Sequence, residues 1–189
     1  MRTIRTERLR LEPATAENAA ILWRVLQEPN LREFQDLPEV DLAQFERMVA
    51  ARPTTFEPGV AGRFEWLIHL EGVGEPVGWT SLRLAERASA AGEIGYSVLH
   101  AYRGRGIATE AVAAIVAEAF ERVLVRRIRA YCVPENTASR RVLERAGFMA
   151  DGILPHGATV RGRPVDVIGY VIDRLDASSG HTIDMPASG

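Results

Sequence analysis

Cysteine is almost missing from this chain. One residue, Cys132, stands among 189, so neither an internal disulfide framework nor a cysteine-rich metal site can be built. In its strand-like apolar setting it reads as a buried thiol. Long apolar runs are missing too, and no stretch is long enough to cross a bilayer as a helix. The opening MRTIRTERLRLEP carries arginines without the roughly 7–15-residue apolar core of a secretory signal, so a cytoplasmic protein with no membrane partner is expected. Charge of one sign is also lacking: 23 Lys and Arg against 25 Asp and Glu leave a formal net charge of -2. Arg122, Arg126, Arg127 and Arg129 cluster, but without interleaved aromatics, so no nucleic-acid partner is expected. His100 has no companion at ligand spacing, which argues against a metal.

What remains, 47% hydrophobic and 25% charged residues, is the composition of a soluble core of ordinary size. The length suits one domain, taken as residues 1–176. Ala177 to Gly189 is small, polar and aperiodic and reads as a flexible tail.

The chain is organised around EIGYSVLHAYRGRGIATE, Glu93 to Glu110. A strand leads through Arg103-Gly104-Arg105-Gly106 into a helix starting near Ile107. Glycines let the backbone turn tightly and meet a ligand without a Cβ in the way. The first N–H groups of a helix have no partner inside it, so the pattern predicts a cradle for an oxyanion or phosphate. Two common phosphate loops are excluded. The lysine followed by Ser or Thr of one is replaced by Ile107-Ala108, and the third glycine and distant acid of the other are missing.

Around this stretch the periodicity predicts a first strand over Arg8–Glu12, a helix over Ala19–Leu26 capped by Thr15, and a second helix capped by Asp41. Strands follow at Phe64–Leu70, Pro76–Leu84 and Glu93–Leu99, with Trp79 as a core or rim aromatic. The helix from Ile107 to about Val123 and the strand Arg127–Val133 imply a right-handed crossover and a parallel pair. Asn136 caps a fourth helix that Gly147 ends. Met149–Leu154 and Val165–Leu175 complete the sheet, with His156–Pro164 as their turn. The expected class is α+β: a mixed, mainly antiparallel sheet of six to seven strands flanked by about four helices.

The cradle Arg103-Gly104-Arg105-Gly106-Ile107-Ala108 and the later run Asn136-Thr137-Ala138-Ser139-Arg140-Arg141-Val142-Leu143-Glu144-Arg145-Ala146-Gly147-Phe148 resemble, in that order, the two landmarks of the GNAT superfamily of acetyl-CoA-dependent N-acetyltransferases. TERLRLEP and EIGY are similar to the branch containing the ribosomal-protein N-terminal, RimJ/RimL-like, enzymes. The resemblance covers roughly residues 5 to 175. It implies acetyl-CoA as cosubstrate, with its diphosphate on the backbone of Arg103, Gly104, Arg105, Gly106, Ile107 and Ala108. It further implies that the strands around Tyr96–Leu99 and Ala130–Val133 splay apart to admit the pantetheine arm, with Val98 or Leu99 offering an N–H to the thioester oxygen.

The implied reaction is direct attack of a free amine on the thioester. Many relatives protonate the leaving sulfur with a tyrosine on the fourth helix; that position is Leu143 here. Ser139, one turn earlier, is the replacement, or else an ordinary helical serine bonded to its own backbone. Asn136 contacts the coenzyme arm or only caps the helix. Glu93 is the chosen base, with a strand-end ion pair as its plainer role. His100, Asp166, His69 and Tyr170 are weaker candidates. The acceptor is an amine: a protein N-terminus, or a small molecule such as an aminoglycoside or polyamine. Glu28, Glu33, Asp36 and Glu39 are placed to attract a cationic one. A catalytically silent acetyl-CoA-binding protein is the rival reading, and the resemblance leaves room for a homodimer.

Overall fold

A computed structural model of the chain describes residues 1–34, 39–85 and 91–174. Asp36 and the 177–189 segment lie outside the described residues. In chain order the elements are β1 (Ile4–Arg5), β2 (Leu9–Pro13), α1 (Ala19–Leu26), α2 (Leu42–Ala50), β3 (Gly62–Leu70), β4 (Gly78–Leu84), β5 (Ala91–Val98), α3 (Ile107–Glu118), β6 (Arg127–Cys132), α4 (Thr137–Arg145), β7 (Met149–Val160) and β8 (Arg163–Asp173). They build one eight-stranded sheet in the order β1-β2-β3-β4-β5-β6-β8-β7, antiparallel at every junction except β5–β6. The mixed, mainly antiparallel α+β class is therefore as expected. The eighth strand is β1, two residues long and too short to leave a periodic trace.

Alternation along the strands separates two faces. Leu82, Ile94, Val98, Ile128, Ala130 and Cys132 point to the side covered by α3 and α4 and join Ile107, Ala111, Ile115 and Leu143 in the main core. The opposite face presents Leu67 and Trp79 to the apolar stripes of α1 and α2, including Leu22, Leu26, Phe45 and Val49. Trp79 is thus a core aromatic. Fully buried Ala111 lets α3 lie close to the sheet.

Two expected details are corrected. Asn18, not Thr15, precedes α1; its side chain accepts the Thr15 N–H at 2.8 Å and so closes the turn before the helix. His156–Pro164 is not one long turn, because β7 continues to Val160 and reverses at Arg161-Gly162, both with positive φ. Gly152 and Pro155, residues that ordinarily interrupt a strand, stand inside it. β7 is an edge strand, and register shifts between Ala150 and Ile153 and between Leu154 and Ala158 absorb them.

Candidate functional site

The turn between β5 and α3 folds as a bare main-chain surface. Gly104 and Gly106 hold φ of +76° and +77°, a left-handed conformation that side chains resist. A Cβ at Gly104 would project into open space. No side chain caps α3, and its first internal bond runs from the Glu110 N–H to the Gly106 carbonyl at 3.0 Å. The N–H groups of Gly106, Ile107, Ala108 and Thr109 therefore lie outside the helical ladder. Ile107 is buried beneath them and fixes the first turn. The two arginines are drawn back onto the protein. Arg103 Nε donates to the Val98 carbonyl at 3.1 Å and its Nη1 lies 4.0 Å from Glu33, while Arg105 stands 5.4 Å over the Tyr102 ring.

The turn is braced from the N-terminal segment. Arg8 donates from Nη1 to the Arg105 carbonyl at 3.1 Å and from Nε to Glu110 at 2.8 Å. Thr6 Oγ1 donates to the other Glu110 oxygen at 2.5 Å, and the Arg8 N–H joins it at 3.1 Å. Burial pushes the Glu110 carboxyl upward, but the hydrogen bonds from Thr6 and Arg8 outweigh it and hold the group below the usual carboxylate range.

Next to the turn the sheet divides. β5 and β6 are registered only at Ala91–Arg127, Gly92–Ile128 and Glu93–Arg129. Beyond that β6 continues against β8 to Cys132, whereas β5 continues against β4. The Leu99 N–H donates to the Val77 carbonyl at 2.9 Å, and the Leu99 carbonyl accepts from Tyr102. Leu99 is thus not a free donor, contrary to one sequence expectation. Antiparallel alternation turns the N–H groups of the alternate residues, Tyr96 and Val98, away from β4 and toward the gap.

Residues of α4 close this gap from the core side. Asn136 caps the helix, its Oδ1 accepting the Ser139 N–H at 3.0 Å. Ser139 Oγ lies 2.7 Å from the Tyr96 hydroxyl, which is also 3.1 Å from the Ser139 carbonyl. Burial lifts the Tyr96 phenol well above its ordinary range, so it stays protonated. Leu143 is fully buried and carries no proton. Cys132 is buried nearby, and burial pushes its thiol up to about 11. Tyr96 was missed as a site residue. EIGY marked a family likeness, but only the tertiary fold reveals that its ring crosses from β5 to α4.

The opposite face, at the start of β5, carries Glu93. It is half-exposed, with Oε2 accepting from Arg83 Nη2 at 2.6 Å, and its other oxygen makes no bond among the described residues. The remaining base candidates are scattered. His69 stands on β3 beside Glu12, two strands from the gap; burial is the main cause depressing its pKa. Asp166 is exposed and accepts the His156 N–H, Tyr170 is buried and donates to Glu144, and His100 is exposed at the start of a short 3-10 turn. Among the described residues no three His, Cys, Asp or Glu side chains gather as a metal cluster.

Residues 8–149 match the model of the family described as "Acetyltransferase (GNAT) domain". The chain is 29% identical over 168 residues to the uncharacterized N-acetyltransferase p20 of Bacillus licheniformis, covering 88% of this chain and 93% of that one. Among solved structures, Mycobacterium smegmatis RimJ in complex with CoA-disulfide is 27% identical, covers 87% of this chain and 81% of its own, and superposes with a TM-score of 0.69. The ribosomal-protein-S5-alanine acetyltransferase of Vibrio fischeri shares the fold at 18% identity, with a TM-score of 0.78 over 92% of this chain and 97% of its own.

Proposed function

The chain belongs to the GNAT acetyltransferase family, and we propose that, as an acetyl-CoA-dependent transferase, it moves the acetyl group onto the α-amine of a protein N-terminus. The observation that carries the acetyl-CoA part of this reading is the bare, uncapped turn at Gly104–Ala108 beside the division of β5 from β6. Acetyl-CoA brings the acetyl group already activated as a thioester. The residues present fit it: unpaired N–H groups of Gly106 to Thr109 and an open surface at Gly104 suit a diphosphate. The Tyr96 and Val98 N–H groups face the gap, where one of them serves the thioester oxygen and the other an amide of the pantetheine arm.

Ser139 Oγ is the proton donor for the departing sulfur. Tyr96, 2.7 Å away and neutral, fixes the direction of that hydroxyl and can restore its proton. Asn136 acts by holding the first turn of α4, and with it Ser139, in place. Glu93, a few residues down β5 from the gap, takes up the proton of the incoming amine through a chain of waters, from the face opposite α4. Most of the acceleration comes from holding the two reactants in line across the gap.

Support for a peptide acceptor comes from two sides. The RimJ and S5-alanine relatives share the fold over most of this chain, and Glu93 lies in an open groove rather than an enclosed pocket. The test follows thiol release from acetyl-CoA with N-terminal peptides, an aminoglycoside, a polyamine and no amine. Peptide-dependent release is expected. Release with the small amines alone transfers the reading to a small-molecule acceptor, and binding of acetyl-CoA without release to any amine makes the protein a silent binder.

A further inference from the structure

The groove beside Glu93 has an electrostatic character at odds with the rest of the chain. It measures about 820 Å³ and collects Arg63, Arg83, Arg126, Arg127 and Arg129, while the whole protein carries a net charge of -2. Its two carboxylates are already engaged. Glu93 holds Arg83 at 2.6 Å, and Asp173 takes both Nε and Nη2 of Arg127 at 2.6 and 2.8 Å. Arg63 is committed to the buried Glu65 at 2.8 Å. Arg126 and Arg129 are exposed and bond to no acidic side chain among the described residues. Two guanidinium groups thus enter one concave surface without an acidic partner among the described residues, a setting in which carboxylates bind through paired N–H donors. Tyr131 follows on the same face of β6 and offers a half-exposed ring to the stem of a bound side chain.

We propose that this groove receives acidic side chains just downstream of the acceptor amine, so that the preferred substrate is a peptide N-terminus carrying Asp or Glu a few residues in. The inference rests on the N-terminal acetyltransferase reading and names its substrate class. The groove and the gap share one strand, β5, which sets the ruler. From Tyr96–Val98 back to Glu93 is three to five residues, about 10–17 Å at ~3.3 Å per residue. An extended peptide covers the same span in about three to five residues, which places the carboxylates near the fourth to sixth positions. A nucleic-acid strand fits less well, because only Arg126 and Arg129 in the groove lack an acidic partner among the described residues, too few to follow a phosphate backbone.

The experiment compares peptides with identical first two residues and either Glu, Gln or Lys at positions four to six. Thiol release gives kcat and KM, and fluorescence anisotropy of labelled peptides on the acetyl-CoA-loaded protein gives Kd without turnover. The Glu peptide should bind at least about tenfold tighter than the Lys peptide, and the preference should shrink as salt rises. Arg126→Glu combined with Arg129→Glu should reverse the order mainly through KM. Arg129→Lys should keep it in part, and acetyl-CoA affinity should match that of the parent protein. Equal binding of all three peptides, or a reversed-charge variant with an unaltered preference, overturns the proposal, as does tight polyuridylate binding without charge discrimination among peptides. The two readings fail separately. Charge-selective binding without any thiol release keeps the groove and removes the transferase reading, whereas release without charge preference does the opposite.

Discussion

A serine hydroxyl on a helix rotates freely unless something fixes it, and for Ser139 that fixture is the Tyr96 hydroxyl at 2.7 Å. Ser139→Ala should lower kcat about 100-fold, the scale of a lost general acid, with KM for acetyl-CoA little changed. Tyr96→Phe keeps the ring and its packing, so folding should survive while kcat falls about tenfold. Saturation kinetics of thiol release separates the two. A Tyr96→Phe enzyme with parental kcat would leave the phenol a purely structural group. Cys132 offers a check on burial. Its thiol rises from an ordinary 9.0 to about 11, so at pH 8 iodoacetamide should label the unfolded chain and spare the folded one. A raised pKa stabilises the fold below pH 9, and that contribution fades as pH climbs from 9 to 11. Ser139 and Asn136 were visible in the sequence because a cap and a motif sit side by side there. Tyr96 was not, since nothing local records which helix its ring will meet.

At the scale of elements, the turn and α3 depend on the short connection between β1 and β2, some hundred residues away. Glu110, in the first turn of α3, gathers Thr6 and Arg8, and Arg8 reaches on to the Arg105 carbonyl. TERLRLEP therefore acts as a brace for the turn before α3, a role its alternating pattern could not disclose. Glu110→Ala should cost about 1–3 kcal/mol, leaving Arg8 without its partner, and should raise KM for acetyl-CoA more than it lowers kcat. Chemical denaturation and steady-state kinetics measure the two effects; a variant equal to the parent in both would remove the brace. Because the Glu110 pKa is lowered, its contribution is complete above the ordinary carboxylate range and is lost as pH falls through the folded value. Acetyl-CoA affinity should weaken with it on the acid side. The helices themselves were legible from caps and apolar stripes: Asp41 does cap α2, accepting the Gln44 N–H at 2.7 Å. β7 was not, because local breakers in an edge strand are tolerated by bulges that only the paired strand makes visible.

Across the whole molecule, the sheet is a ladder with one rung set left unmade. β4 satisfies one edge of β5 along its length, while β6 accompanies the other edge only to Glu93. The crossover through α3 explains why. It brings β6 back parallel to β5, and α4, packed against α3 with Leu143 buried between them, occupies the core side of the widening gap. The order of elements in the sequence implied the parallel pair, but where that pair parts company depends on packing between α3 and α4, which no single segment encodes. Amide exchange reads this division residue by residue. Without ligand, the Leu99 amide, bonded to Val77, should exchange slowly, and those of Tyr96 and Val98 faster. Acetyl-CoA should slow Tyr96 and Val98 and leave Leu99 as it was, since the coenzyme arm then stands where a strand would pair. The Gly106 to Thr109 amides should slow in parallel as the diphosphate takes up their N–H groups. Protection at 106–109 without protection at 96 and 98 would mean that the arm runs outside the gap, and Ser139 would then lie too far from the sulfur to protonate it.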